Sequence, residues 1–178
     1  MHESPLSGQQ VDFKPSDSSQ EDISNQPGYE IKIAHHSLKF SSAHFLVDHE
    51  KCGCLHGHNY YVTVLLVGAI KERAMVIDFI QVKKMIREEC ALLDHKILVP
   101  LRSPFLEITT NEKSVEIKSK TKYYVFPIED CVFLDIEAVT TELLASYFWK
   151  LLAPKLSGER FSVFIEETPG AVAKYGVL

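Results

Sequence analysis

From residue 29 onward the chain alternates between short β-like runs and two stretches of helical period. Residues 29–36 are dense in alternating apolar positions, and the pattern continues through Leu38, Phe40, Ser42 and His44, which predicts a strand-like segment. Residues 59–67 (NYYVTVLLV) are aromatic and β-branched and stop at Gly68, which predicts a second strand paired with the first. Asp78 followed by Gln81 reads as a capping box. Phe79, Val82, Ile86, Cys90 and Leu93 then share one helical face, so a helix is predicted over 79–92. A second helix is predicted over 141–153, with Thr140 as N-cap and an apolar stripe of Leu143, Leu144, Tyr147, Phe148, Leu151 and Leu152 ahead of Pro154. A last short strand covers 161–165. The order strand, strand, helix, helix, strand is that of an α+β fold with an antiparallel sheet.

Two segments fall outside this scheme. Residues 1 to about 28 are rich in Ser, Gln, Asp and Pro and show neither periodicity, which predicts a disordered tail. Between the helices, residues 105–108, 115–117, 123–126 and 132–136 read as short strands separated by polar turns, an insertion spanning about 103–136.

Composition narrows the function. The 178 residues suit one domain, 29–178, with a substantial core, and the formal charge of −5 offers no general attraction to nucleic acid or anionic membrane. No apolar run is long enough to span a bilayer, and the polar N-terminus lacks a secretory pattern, so the expected location is the cytoplasm. Of four cysteines, Cys90 and Cys131 lie in apolar surroundings and are expected in the core.

The densest chemistry is CGCLHGHNYYV, residues 52–62. Period 2 puts His56 and His58 on one face, and antiparallel pairing with the preceding strand would bring His44 to the same point. Three imidazoles at about 2.0–2.1 Å would form a catalytic zinc set with a fourth position open, the alternative being three unrelated histidines near a turn. Cys52, four residues before His56, is a candidate base, since a nearby cation favours the thiolate. Cys54 leaves an alternative, a closed structural site with its sulfur as fourth ligand, as in a non-catalytic zinc-stabilised binding module. Asp94 and His95 at the end of the first helix form an acid beside a base, either a proton relay or a surface decoration of a helix end. Of Glu166 and Glu167, alternation lets at most one face a pocket, where a carboxylate suits the two-donor edge of an aminopyrimidinone ring.

Together FSSAH (40–44), CGCLHGHNY (52–60), VIDF (76–79), LDH (93–95), TTE (140–142) and EET (166–168) resemble the 6-pyruvoyltetrahydropterin synthase family, in that order along the chain. The Cys52 spacing in C-G-x-L-H-G-H is most similar to its 6-carboxytetrahydropterin synthase branch, in the deazapurine route toward queuosine or archaeosine. A glutamate-for-cysteine branch is set aside by Cys52. The resemblance implies a tunnelling fold (T-fold) with two helices on one face of the sheet, and zinc on His44, His56 and His58. It further implies catalysis by Cys52, Asp94 and His95, a pterin anchored by Glu167 with Thr140 and Thr141 beside it, and a homo-oligomer of two trimers head to head with sites between subunits. The expected substrate is 7,8-dihydroneopterin triphosphate, cleaved to 6-carboxytetrahydropterin, acetaldehyde and triphosphate. Elimination of triphosphate alone, giving the pyruvoyl product, is the alternative.

Overall fold

The computed structural model describes residues 28–177, so the tail expected to be disordered lies, apart from Gly28, outside the described residues. The centre of the molecule is β3 (His56–Gly68), a long strand whose even-numbered residues from Tyr60 to Leu66 are buried. Its aromatic and β-branched content suits a pleated surface with one covered face. One side of β3 pairs antiparallel with β1 (Tyr29–Ile33) and β2 (Lys39–His44), laid end to end. The segment predicted as continuous is broken here. Between the pairs Ile33↔Val64 and Lys39↔Tyr61 the β1–β2 side advances six residues while β3 advances three. The surplus loops out in a turn closed by Leu38 N–H donating to the His35 carbonyl at 2.9 Å, and both flanking apolar residues, Ile33 and Leu38, stay buried.

On its other side β3 pairs with β9 (Arg160–Thr168), which turns at Gly170 into β10 (Ala171–Gly176). Gly170 takes φ +85°, a conformation glycine adopts without steric cost. Beyond β2 the sheet gains two strands that run parallel, β4 (Lys96–Pro100) against β2 and β8 (Cys131–Leu134) against β4. The antiparallel sheet expected from the strand order thus forms the central part, and β4 and β8 extend it. Residues 132–136, read as part of the insertion, largely belong to this edge strand.

Two helices cover one face. In α1 (Phe79–Leu93) the Asp78 carboxylate accepts from Ile80 N–H at 2.8 Å, and Val82, Ile86, Cys90 and Leu93 are buried. In α2 (Thr141–Leu152) the Thr140 hydroxyl accepts from Leu143 N–H at 3.3 Å, with Leu144, Phe148 and Leu152 buried. Capping of this kind contributes about 1 kcal/mol per helix. Phe148 stacks on Phe40, which stacks on its cross-strand partner Tyr60, at 5.5 and 4.9 Å between centroids. Burial pushes the Cys90 thiol up to about 12, as expected of a core cysteine.

A separate three-stranded antiparallel sheet, β5 (Glu107–Thr110), β6 (Ser114–Lys118) and β7 (Tyr123–Pro127), lies between β4 and β8 in sequence. Its Val115 and Ile117 join Phe45, Val99 and Cys131 in a second, smaller core. Among the described residues no helix is long and apolar enough to cross a membrane.

Candidate metal centre and active site

The antiparallel register of β2 and β3 pairs His44 with His56 and Ser42 with His58. Alternation then turns all three histidines to the helix side of the sheet. One ring nitrogen from each lies within 4.8 Å of the others. Close approach of the strands is helped by Gly57, where a Cβ would stand 3.1 Å from the Ser42 carbonyl oxygen.

Backbone carbonyls fix two of the tautomers. His44 Nδ1 lies 2.8 Å from the Val139 carbonyl oxygen and His56 Nδ1 lies 2.7 Å from that of Cys54. A carbonyl only accepts, so each Nδ1 carries the proton and each Nε2 keeps a free lone pair in the neutral ring. His44 is 2% exposed, and burial, outweighing the nearby Glu167 carboxylate, lowers its pKa and keeps it neutral. Three converging imidazoles, two of them with carbonyl-held Nδ1–H groups, are a donor set that fits a divalent metal ion.

Tyr60, read from sequence only as part of a strand, belongs to this site. Its hydroxyl donates to Glu167 Oε1 at 3.0 Å and lies 3.2 Å from His44 Nε2. Burial first, and then the Glu167 carboxylate, push its phenol well above the usual range, with a smaller push from Cys52 nearby. Glu167 Oε1 is also 3.4 Å from His44 Nε2 and 3.6 Å from His58 Nε2, and Oε2 accepts from the Thr141 hydroxyl at 3.4 Å. Thr140, by contrast, spends its hydroxyl on the α2 cap. Glu166 points the other way, accepting from Gly170 N–H at 3.2 Å. A cleft of about 470 Å3, lined in part by His58, Tyr61, Thr168 and both Glu166 and Glu167, opens beside the Glu167 carboxylate.

Cys52 sits half-buried in the loop between β2 and β3, its N–H donating to His49 Nδ1 at 3.1 Å. Cys54 offers its carbonyl to His56, while its sulfur is exposed, 3.6 Å from Lys122 Nζ, and is not among the clustered ligand atoms.

Asp94 and His95 form a tight pair, Oδ2 to Nδ1 at 2.8 Å. The Ser41 N–H, donating to Asp94 Oδ1 at 2.7 Å, is the first cause holding that carboxyl below its usual range, and His95 adds to it. His95 takes φ 59° and donates its N–H to the Ser41 carbonyl at 2.7 Å. It lines a cleft of about 590 Å3 with Ser41, Ala43, Gly57 and Asn59, positions that alternate with the three histidines, and with Ser42 and His58. The pair therefore opens mainly onto the opposite face of the sheet, into a cleft that also reaches His58. Among the described residues no hydrogen bond or ion pair joins it to Cys52 or to the three histidines.

Fold and site together define a T-fold enzyme with a three-histidine cluster that could hold a metal ion. The chain belongs to the 6-pyruvoyl tetrahydropterin synthase family, whose model matches residues 33–177. It is 39% identical over 137 residues, 75% of this chain and 82% of the other, to a Methanocaldococcus jannaschii relative carrying the provisional name 6-carboxy-5,6,7,8-tetrahydropterin synthase. It is 28% identical over 148 residues, 78% and 94% of the two chains, to the 6-carboxy-5,6,7,8-tetrahydropterin synthase of Haemophilus influenzae. The crystal structure of 6-pyruvoyl tetrahydropterin synthase from Plasmodium vivax superposes with a TM-score of 0.77 at 28% identity, covering 85% of this chain and all of that one. With these relatives, the chain is an enzyme of lyase type.

Proposed function

We propose that the chain converts 7,8-dihydroneopterin triphosphate and water to 6-carboxy-5,6,7,8-tetrahydropterin, acetaldehyde and triphosphate, in cytoplasmic 7-deazapurine (queuosine or archaeosine) biosynthesis, with zinc held by His44, His56 and His58. The observation that carries this reading is the convergence of three histidine ring nitrogens beside the Cys52 loop. Zinc bound there would polarise the side-chain oxygens of the substrate as a Lewis acid.

The chain's own residues supply the rest. Cys52, once a thiolate, takes a proton from side-chain carbon. Asp94 accepts from His95 Nδ1 and so fixes the tautomer with which the imidazole returns a proton. Glu167 accepts the two parallel donors of the aminopyrimidinone ring, with Tyr60 and Thr141 holding its carboxylate and Thr140 and Thr141 at the pterin end. The 470 Å3 cleft beside Glu167 provides room for that ring.

Assembly is part of the proposal. Asp94 and His95 open mainly onto the face away from the histidine cluster, no hydrogen bond joins them to Cys52 among the described residues, and β10 and β8 are the outer strands at the edges of the sheet. A homo-oligomer, two trimers head to head, would pair those edges and bring His95 of one subunit to Cys52 of another.

The sister reaction, elimination to 6-pyruvoyltetrahydropterin, is kept as a second reading because the superposable Plasmodium vivax enzyme carries that name. Incubating zinc-loaded protein with dihydroneopterin triphosphate and assaying acetaldehyde separates them. Acetaldehyde is expected in step with triphosphate. A pyruvoyl product without acetaldehyde would replace the first reading with the second.

A further inference from the structure

The small sheet β5–β7 is built against the loop that carries Cys52. Residues 45–55 join β2 to β3 and are folded by their own backbone bonds. Leu46 N–H donates to the Cys52 carbonyl at 2.8 Å, Gly53 N–H to that of His49 at 2.9 Å and Cys54 N–H to that of Lys51 at 3.3 Å. Gly53 is buried, and a Cβ there would collide with the His49 carbonyl oxygen, so this turn is closed to any larger residue.

The buried Gly53 carbonyl needs a donor, and Lys122 supplies it: Nζ donates to that oxygen and also lies 3.6 Å from Cys54 Sγ. Lys122 is partly buried and stands in the β6–β7 turn, which is closed by Ser119 N–H to the Lys122 carbonyl at 2.8 Å and by Lys122 N–H to Ser119 Oγ at 3.1 Å. At the loop's other end Phe45 rests on Tyr124 of β7, with ring centroids 4.8 Å apart. The small sheet thus grips the loop at both ends, by apolar contact at Phe45 and by a charged hydrogen bond at Gly53.

We propose that Lys122 is a positioning residue for Cys52. Gly53 is the residue between the two cysteines, so an ammonium that fixes its carbonyl also fixes the direction of the Cys52 side chain one residue earlier. A charge-assisted bond is strong enough for this task, and reacting groups lose rate steeply when displaced by about 1 Å. The inference rests on reading Cys52 as the reacting thiol, and it gives the three-stranded sheet a purpose, which is to stiffen the reactive loop from outside the pterin site.

Hydrogen exchange and steady-state kinetics on the full zinc-loaded chain test it. Lys122→Met keeps most of the side-chain length and removes the ammonium. Exchange of peptides covering residues 50–56 is expected to quicken roughly tenfold, the worth of one charge-assisted bond, while α2 is unchanged. The kcat for acetaldehyde release should fall roughly tenfold with KM held within about twofold, the pattern of a misplaced reacting group. Lys122→Arg, which retains a donor on a long stem, should recover part of both losses. Unchanged exchange at 50–56 in Lys122→Met overturns the positioning role, as does a loss confined to KM. Absence of pterin turnover in the unsubstituted chain overturns the reading of the reaction instead, and the exchange result then still decides whether Lys122 holds the loop.

Discussion

The Tyr60 hydroxyl donates to Glu167 Oε1 at 3.0 Å, and the same carboxylate oxygen lies 3.4 Å from His44 Nε2. This ties the strand that carries two of the histidines to the strand that carries the proposed pterin anchor. The arrangement is stable because Tyr60 is held as a neutral donor: burial raises its pKa, and the carboxylate it faces raises it further.

Tyr60→Phe keeps the stacked ring against Phe40 and deletes only that donor. Glu167 retains Thr141 and loses its shorter bond, so the expected cost is about 1 kcal/mol of unfolding free energy, read from urea denaturation. Pterin binding should weaken several-fold, measured by fluorescence titration. Full affinity in Tyr60→Phe would show that Thr141 alone orients the carboxylate.

The metal predictions separate Cys54 from the histidines. His44→Ala, His56→Ala or His58→Ala should each bring bound zinc well below one per chain by elemental analysis. Cys54→Ala should retain it, because that sulfur faces Lys122 rather than the cluster. Stripping zinc with a chelator should lower the melting temperature, and zinc readdition should restore it, since a ligand that binds only the folded chain stabilises it. Zinc loss in Cys54→Ala would reinstate the closed four-ligand site.

Much of this was legible in the sequence, and the failures have physical causes. Both helices announce themselves through one-sided apolar stripes and through Asp78 and Thr140 as caps. The histidines were legible because period 2 is set by backbone geometry alone. β4 was missed because it starts two residues after the α1 cap, with only His95 between, and reads KILVP, an apolar run without alternation. β10 was missed because its residues are mostly exposed, leaving no one-sided pattern. Tyr60 was read only as part of a strand because its partner Glu167 is distant in sequence. The face on which Asp94 and His95 open was out of reach for a related reason. It depends on how the segment entering β4 bonds to Ser41, and no local pattern encodes that pairing.

Asp94 gives a pH signature. Its carboxyl is held below the usual range in the folded chain, by Ser41 N–H first and His95 second. A depressed folded pKa adds stability above the unfolded value of about 3.9, and that stability disappears as pH falls through the folded value. Zinc-free Asp94→Asn should therefore be less stable than the unsubstituted zinc-free chain near neutral pH. The gap should narrow as pH drops below about 4, followed by chemical denaturation. A gap independent of pH would mean that the amide loses packing or a hydrogen bond rather than charge.

The proposed pairing of Cys52 with His95 from a neighbouring subunit makes a prediction about assembly that single variants cannot test. Cys52→Ala and His95→Ala should each be inactive when pure, since each lacks one proton-transfer group everywhere. If a working site takes Cys52 from one subunit and His95 from another, mixed oligomers formed after subunit exchange contain some sites with both groups intact. In an equal random mixture about a quarter of the sites meet that condition, because each of the two contributing chains is the right variant half the time. Turnover should therefore return to roughly that fraction on mixing, with a time course set by subunit exchange. If one chain supplied both groups, every site in the mixture would lack one of them, and mixing would restore nothing.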